Sequence, residues 1–407
     1  MTSPSKIKEN AAVGIANVVR TRTANTQRPK VVIIQRRMTH YRIPLFELMR
    51  DELNNAGIEL TVVFGDPTPQ EQKKMDSGTL SWGVYVPCTY FLNGHICWQN
   101  AHALLHGADL VVVPQENKML LNHLLLLKPR RFKLAFWGHG ANLQSDRPNG
   151  FKEHFKRWTT KQVDWWFAYT QMSADLVTVA GFPDHRVTLL NNAADASELH
   201  RQRQSNTSKE TYALRKSLGF ETGPVGVYVG SLYPDKRLDF LFAAAEAIHR
   251  EVPDFHLLIL GEGPERDKVQ AWCAAHPWAS WVGARCGSEK AAYMSLAQVM
   301  LNPGALGLGV MDSFVCQAPV ITTDCGNHGP EISYLKHGVN GLMTEDELNA
   351  YVKASVGLLK NAQETAGLQA GCAASAKEYT VENMASNFSE GIKRCLGANR
   401  DRGRGAS

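Results

Sequence analysis

The chain has 407 residues, of which 44% are hydrophobic and 20% are charged, and its formal net charge is +5. Because single hydrophobic cores stop growing at about 250–300 residues, this length predicts two domains. The composition is typical of a folded globular protein, and the small net charge argues against a nucleic-acid partner. Eight scattered cysteines without a Cys-x-x-Cys pair indicate free thiols and a cytoplasmic location.

Residues 1–29 are polar and contain Glu9 as their only acidic residue. We interpret them as a flexible N-terminal tail. An organelle transit peptide and a membrane-surface helix are alternatives, because such segments are also basic and poor in acidic residues.

From Lys30 onward, short apolar runs alternate with helical segments: KVVIIQ, IELTVVFG, ADLVVVP, KLAFWG, WWFAYT and RVTLLNN. Such runs are typical of parallel strands that are buried on both faces. They predict a doubly wound α/β domain over residues 30–194. We interpret the polar segment AADASELHRQRQSNTSKE, which follows, as a linker.

Two stretches of this first domain combine basic and apolar side chains: MLLNHLLLLKPRRFKL (Met119–Leu134) and FKEHFKRWTTK (Phe151–Lys161). Leucines at this spacing fit a hydrophobic core. Together with the neighbouring basic residues they also fit association with an anionic membrane surface. The basic residues in question are Lys128, Arg130, Arg131, Lys133, Lys152, Lys156, Arg157 and Lys161.

The strand pattern restarts and predicts a second doubly wound domain over residues 195–378, through PVGVYVGSL, FHLLILG, SWVG, QVMLN, PVITTD and GLMTED. Further helical segments follow at about 348–360 and 380–396. Residues 397–407 form a short C-terminal tail.

The segment LNPGALGLGVMDSFVCQAPVITTDCGNHGPE (Leu301–Glu331) predicts a ligand site. Its glycines allow backbone N–H groups to approach a ligand, and they lead directly into the first turn of a helix. This combination favours binding of an anion such as phosphate. Asp312 follows the loop, and a second loop with His328 and Glu331 points at the same crevice.

This segment, together with GSLYPDKRLDFL and LLILGEGPERDKV, resembles the nucleotide-sugar site of retaining GT-B glycosyltransferases (glycosyltransferase group 1, family 4-like). The resemblance covers roughly residues 30–390. Members carry a Glu-x7-Glu motif, which is degenerate here because Gly304 replaces the first Glu and Asp312 the second. The resemblance implies two Rossmann-like domains that face a central cleft, with a final helix, 379–396, that crosses back to the first domain.

The resemblance implies transfer of a sugar, with retention, from a nucleoside-diphosphate sugar in the C-terminal domain to a saccharide or lipid-linked acceptor in the N-terminal domain. It implies no metal or other cofactor, and a role in cell-surface polysaccharide or lipopolysaccharide biosynthesis. A catalytically inactive GT-B binding or partner subunit is an alternative, because Gly304 stands at the position of a Glu. A GT-B nucleotide-sugar epimerase or hydrolase is another.

By the same resemblance, His139, Lys236 and Glu331 are candidate catalytic residues, with Lys236 on the donor diphosphate. Nucleotide-sugar contacts are assigned to Gly230, Ser231, Lys236, Arg237, Gly261, Arg285, Gly304, Leu306, Gly307, Leu308, Asp312 and His328. Arg237 is expected to share the diphosphate charge, since Ser231 stands where the family has an Arg. Each assignment has a structural alternative: Lys236 as a solvated turn residue, and His139 as a helix cap.

The segment QRRMTHYRIPLF after the first strand is also basic. We expect its basic side chains to form either a solvated face or a binding site for phosphate groups of the acceptor.

Overall fold

The structure, a computed structural model, describes residues 28–72, 76–140, 158–205 and 207–398. Most of the second basic stretch and nearly all of both tails lie outside these ranges. The first half of the chain contributes strands β1 (Lys30–Ile34), β2 (Glu59–Phe64), β3 (Val84–Tyr85), β4 (Cys88–Phe91), β5 (Ile96–Gln99), β6 (Leu110–Pro114), β7 (Lys133–Gly138), β8 (Trp165–Ala168) and β9 (Val187–Leu189). Seven of these form a parallel sheet in the order β3-β2-β1-β6-β7-β8-β9, while β4 and β5 form an antiparallel pair.

Helices cover both faces of this sheet: α1 (Ile43–Asn55), α2 (Pro69–Gln72), α3 (Leu120–Leu127) and α4 (Gln171–Val179). Successive strand residues point to opposite faces, so Val31 packs in one buried cluster with Phe46 of α1, and Val32 packs in another with Leu121 of α3. This burial on both faces explains the continuous apolar runs of the sequence.

The second half repeats the architecture with strands β10 (Val225–Val229), β11 (His256–Leu260), β12 (Ala279–Gly283), β13 (Val299–Leu301), β14 (Val320–Thr323) and β15 (Gly341–Thr344). They form a parallel sheet in the order β12-β11-β10-β13-β14-β15. Its helices are α5 (Ser197–Ser205), α6 (Ser208–Ser217), α7 (Leu238–Glu251), α8 (Arg266–Ala275), α9 (Gly287–Met294), α10 (Gly309–Cys316), α11 (Leu348–Lys360) and α12 (Ala362–Glu378). The predicted pair of doubly wound sheets is confirmed.

The polar segment that we interpreted as a linker is largely helical, and that interpretation is wrong. It forms α5 and the start of α6, where Thr207 and Glu210 make a reciprocal capping box. Leu199 of α5 is buried, and the Arg203 side chain donates to the carbonyl of Cys316 at 3.1 Å. Helix α5 therefore packs on the second sheet's helices instead of spanning solvent.

The last helix, α13 (Val381–Gly397), packs on the first sheet. Phe388 stacks on Phe167 of β8, with ring centroids 4.4 Å apart, and meets the edge of Trp137 at 5.0 Å. The ammonium of Lys133 donates to the carbonyls of Cys395 and Leu396 at 2.5 and 3.0 Å. A cation on the last carbonyls of a helix is favourable, so Lys133 is a capping residue and not part of a membrane-facing patch.

Each sheet has one point where the strand order reverses. In the first sheet the chain proceeds outward from β1 through β2 to β3, then resumes on the other side at β6. In the second sheet the reversal lies between β10 and β13. Open α/β sheets bind ligands in the crevice at the carboxyl ends of such strands, so the fold defines two candidate crevices.

Candidate active site

The loops that follow β10 and β13 are hydrogen-bonded to each other. The first contains a 3-10 turn, Pro234–Lys236, and the second passes through Gly304 and Ala305. The N–H of Ala305 donates to the carbonyl of Asp235 at 3.0 Å, and the ammonium of Lys236 donates to the carbonyl of Ala305. The two halves of the predicted phosphate site are therefore adjacent.

Gly304 lies directly against the backbone of this turn. A Cβ atom at this position would lie 2.5 Å from the carbonyl carbon of Lys236 and 2.6 Å from the carbonyl oxygen of Asp235. Both contacts are with backbone, so no side-chain rotation relieves them. A glutamate at position 304 would therefore push the two loops apart.

Lys236 and Arg237 differ in how their charges are neutralised. The Lys236 ammonium lies 3.8 Å from the Asp235 carboxylate and, after its bond to Ala305, retains donor capacity for a ligand. Arg237 forms an ion pair with Asp346 and donates to the Thr323 hydroxyl at 3.1 Å. Because Arg237 is already paired, this geometry favours Lys236 as the residue that meets a diphosphate.

Four further predicted residues, Gly230, Ser231, Gly261 and Arg285, lie along the carboxyl ends of β10, β11 and β12. A Cβ atom on Gly261 would lie 1.9 Å from the carbonyl oxygen of Gly230, so position 261 requires glycine. Ser231 is exposed. Arg285, at the outer strand, pairs with Glu289 at 3.2 Å and donates to the carbonyl of Val282 at 2.8 Å.

The side chain of His328 is hydrogen-bonded to the glycine loop, residues 304–309. The N–H of Leu306 donates to Nδ1 of His328 at 3.1 Å, and Nε2 of His328 donates to the carbonyl of Thr323 at 2.8 Å. This arrangement places the imidazole proton on Nε2 and occupies both ring nitrogens. Beyond Leu306 and Gly307 the loop enters α10 at Leu308, where no side chain caps the helix. The N–H groups of Val310 and Met311 already donate to the carbonyls of Gly307 and Leu308 at 3.1 and 3.0 Å, so the first-turn donors that remain for an anion are those of Leu308 and Gly309.

Asp312, in the first turn of α10, has a partner that sequence reasoning missed. The ammonium of Lys290, from α9, lies 2.5 Å from the Asp312 carboxylate, and both side chains are partly exposed. The sequence contains no local signal for this pair, since the two residues lie on different helices.

Glu331 connects the two halves of the molecule. It is buried, and its carboxylate accepts a hydrogen bond from the Asn192 amide at 2.6 Å. The Asn192 carbonyl oxygen in turn accepts from the Arg42 guanidinium at 2.6 Å, and Tyr334 donates to the Asn192 backbone carbonyl at 3.1 Å. Burial raises the pKa of Glu331, against the opposing effects of Asn192 and Arg42. Asn192 was missed because it lies three residues beyond the end of β9, in a segment without a recognisable motif.

The basic segment after β1 is not a solvated face. Arg42 is buried, and its guanidinium lies 5.3 Å from the ring centroids of Tyr41 and Trp137 and 5.5 Å from that of Tyr169. Because Arg42 is buried and bound to Asn192, it is not available to bind phosphate groups of an acceptor.

His139 lies beside the same aromatic cluster, with its ring centroid 4.5 Å from that of Tyr169. The side chain is exposed at the carboxyl end of β7. Burial raises the pKa of Tyr169 to about 12, and the carboxylates of Glu331 and Glu116 contribute in the same direction.

The first sheet's crevice is centred on Arg36, which follows β1 and is 5% exposed. Its guanidinium binds the Glu71 carboxylate through two hydrogen bonds of 2.6 and 2.7 Å. It also donates to Glu116 at 3.0 Å and to the Tyr90 hydroxyl at 2.9 Å. Glu116 follows β6, so this network spans the strand-order reversal.

Solved structures with the same fold identify the class. Anabaena HepE in complex with UDP has 14% sequence identity and a TM-score of 0.65, covering 90% of this chain and 99% of HepE. Sucrose-phosphate synthase from Thermosynechococcus elongatus has 15% identity and a TM-score of 0.66, covering 91% and 100%. The lipopolysaccharide outer core galactosyltransferase WaaB has 15% identity and a TM-score of 0.61, covering 89% and 99%. The chain has the GT-B fold.

Residues 223–361 form a domain that matches the family "Glycosyl transferases group 1". The match spans β10 to α11 and includes Lys236, the glycine loop, Asp312 and Glu331. No curated protein sequence matches the chain.

Proposed function

We propose that the protein is a glycosyltransferase that moves a sugar from a nucleoside-diphosphate sugar to a saccharide or lipid-linked acceptor. The observation that carries this proposal is the reversal point of the second sheet, where Lys236 and the uncapped start of α10 converge within a group 1 domain. HepE, which has the same fold, was solved with UDP and also with UDP-glucose.

In this proposal the leaving diphosphate gains negative charge as the bond to the sugar breaks. The Lys236 ammonium and the N–H groups at the start of α10 stabilise that charge in place, which is the role a metal ion fills elsewhere. The sugar is transferred with retention. Asp312 accepts from the ribose hydroxyls, His139 lies near the transferred sugar and its phosphate, and Glu331 contacts the donor sugar in place of the glutamate that is absent at position 304. A role in surface polysaccharide or lipopolysaccharide synthesis is supported by the likeness to WaaB.

A screen of nucleotides and nucleotide sugars by thermal unfolding tests this function. A ligand at 100 times its dissociation constant adds about 2.7 kcal/mol of stability. We expect stabilisation by one nucleoside diphosphate, and release of nucleotide from its sugar conjugate only when acceptor is added. Release without acceptor favours an epimerase or hydrolase. Binding without any turnover favours an inactive subunit, and no binding refutes the proposal.

We also propose that α3 associates with anionic membranes. Leu120, Leu124 and Leu127 are exposed and recur at helical spacing, beside the exposed basic residues Lys128 and Arg131. Arg130 is not part of this surface, because it pairs with Asp164 at 3.3 Å. None of the described helices is long and apolar enough to cross a bilayer.

Flotation with liposomes tests this surface. Each Lys or Arg near an anionic bilayer contributes about 1 kcal/mol, so binding should fall as salt rises. Leu124→Ser combined with Leu127→Ser should abolish flotation, whereas Val179→Ser, at an exposed residue of α4, should not. Equal flotation of all variants contradicts the assignment.

A further inference from the structure

The network around Arg36 has balanced charge. Besides Arg36 it contains Arg37, which binds Asp76 through bonds of 2.6 and 3.1 Å. It also contains Lys118, 3.4 Å from Glu116 and 3.9 Å from Glu71. Three cations thus meet three carboxylates within this set. A phosphate would have to displace a carboxylate from its cation, so the crevice does not favour an anionic ligand.

Two members of the network form its accessible surface. The Glu116 and Lys118 side chains are 34% and 29% exposed, while Arg36 and Glu71 lie beneath them. One Glu116 oxygen accepts from Arg36 and lies nearest Lys118, and the other has no protein partner among the described residues. The Lys118 ammonium has three N–H donors. The surface therefore offers a free acceptor next to a donor.

The Glu116 side of this pair is held by a hydrogen-bonded network. Glu71 is fixed by Arg36 and also accepts from the N–H and hydroxyl of Thr68, both at 2.9 Å. Burial would raise the pKa of Glu71, but the bonds from Arg36 and Thr68 outweigh burial and hold it well below its usual range. Arg36 in turn orients Glu116. Preorganised groups of this kind bind a ligand without a further ordering cost.

We propose that Glu116 and Lys118 bind the acceptor through two neighbouring hydroxyl groups of an uncharged sugar residue. Each hydroxyl both donates and accepts, so a vicinal diol donates to Glu116 while accepting from Lys118. The site lies where the first sheet's strand order reverses, just after β6, and His139 follows the neighbouring strand β7. This inference rests on the proposed function and names the acceptor's chemistry.

The test uses the methyl glycosides of glucose, galactose and mannose as neutral probes, and glucose 6-phosphate as the anionic probe. Saturation-transfer NMR measures their binding to the UDP-loaded full chain, and calorimetry measures UDP affinity separately. We expect at least one neutral glycoside to bind and glucose 6-phosphate to bind more weakly.

Two variants sharpen the assignment. Lys118→Met removes the donor and should weaken the neutral glycoside about 10- to 100-fold, the loss expected for a hydrogen bond to a charged group. Glu116→Gln removes one negative charge and should reverse the preference in favour of glucose 6-phosphate. Glu47→Gln, at a partly exposed residue of α1, is the matched control and should change neither. UDP affinity should be unchanged in all three, and the thermal midpoint should be unchanged in Lys118→Met and Glu47→Gln. Glu116→Gln should have a lower midpoint, because it removes a carboxylate that pairs with the buried Arg36.

Tighter binding of glucose 6-phosphate to the wild type overturns the inference, as does no binding of any neutral glycoside up to its solubility limit. Neutral binding that is insensitive to both crevice variants also overturns it. Failure of the proposed function gives a different result, because the wild type then fails to bind UDP or any other nucleotide in calorimetry.

Discussion

The two sheets reverse their strand order at equivalent places, yet the crevices formed there have opposite chemistry. The C-terminal crevice is built from backbone. Gly304 and Gly261 lie directly against neighbouring carbonyl groups, and the ammonium of Lys236 donates to a carbonyl oxygen. The N-terminal crevice is built from charged side chains, with Arg36 bound to Glu71 and Glu116. Backbone donors and one available ammonium suit a diphosphate, whereas a balanced network suits an uncharged ligand.

A chain of hydrogen bonds links residues of the first and second halves of the chain. Arg42 binds Asn192, and Asn192 binds Glu331. A Cβ atom on Gly307 would lie 3.7 Å from the other Glu331 oxygen, so this carboxylate reaches the glycine loop. The same side chain therefore contacts both the glycine loop and Asn192.

The largest effect is expected from Glu71→Gln, which breaks the charge balance of the N-terminal crevice. Removing one partner of a buried ion pair leaves an uncompensated charge, and the expected loss is about 3–5 kcal/mol of unfolding free energy. Urea unfolding measures it. Glu251→Gln, from an exposed pair with Lys360 at 3.9 Å, is the control and should cost less than about 1 kcal/mol.

The Glu71 pair should also be visible in the pH dependence of stability. Since the folded-state pKa of Glu71 is lowered, its contribution is present above the ordinary glutamate pKa and is lost as pH falls toward the folded value. The wild type should therefore lose stability on acidification more steeply than Glu71→Gln. Parallel curves would show that the pair contributes nothing to folding.

The next effect tests the C-terminal crevice. Lys236→Ala should reduce turnover by roughly 10²-fold or more, the loss seen when one electrostatic stabiliser of a transition state is removed. Stability should change little, because Lys236 makes no buried ion pair. Lys216→Ala, on the exposed side of α6, is the control. Unchanged turnover in Lys236→Ala would remove the diphosphate role.

The contrast between the crevices also separates what the sequence predicts from what it does not. The strands, the glycine loop and Lys236 are local signals, because periodicity and glycine spacing act over a few residues. Arg42, Asn192 and Glu331 meet across 150 and 139 residues of chain. Lys133, which sequence patterning grouped with membrane-facing residues, caps a helix more than 260 residues later. Long-range pairing of this kind leaves no periodic trace. The capping box at Thr207 was a readable signal that our linker interpretation overlooked.

A smaller effect is expected from removing the carboxylate of Asp312. Asp312→Ala should weaken nucleoside diphosphate binding about 10- to 100-fold, the range expected for hydrogen bonds to a charged group. Lys290→Met frees the Asp312 carboxylate from its 2.5 Å partner and should not weaken binding. Calorimetry with UDP and GDP measures both. Tight binding that is insensitive to Asp312→Ala refutes the ribose contact.

The smallest effect is expected from chelation, which should leave turnover unchanged. Three carboxylates near the glycine loop already have protein partners: Asp312 with Lys290, Asp346 with Arg237, and Glu331 with Asn192. A divalent ion would have to displace one of these donors, while Lys236 and the start of α10 already supply positive charge where the diphosphate is proposed to bind. Turnover measured in EDTA, followed by added magnesium or manganese, checks this. Loss of turnover on chelation, with recovery on metal addition, would mean that Lys236 and the backbone donors of the C-terminal crevice do not neutralise the diphosphate without a divalent ion.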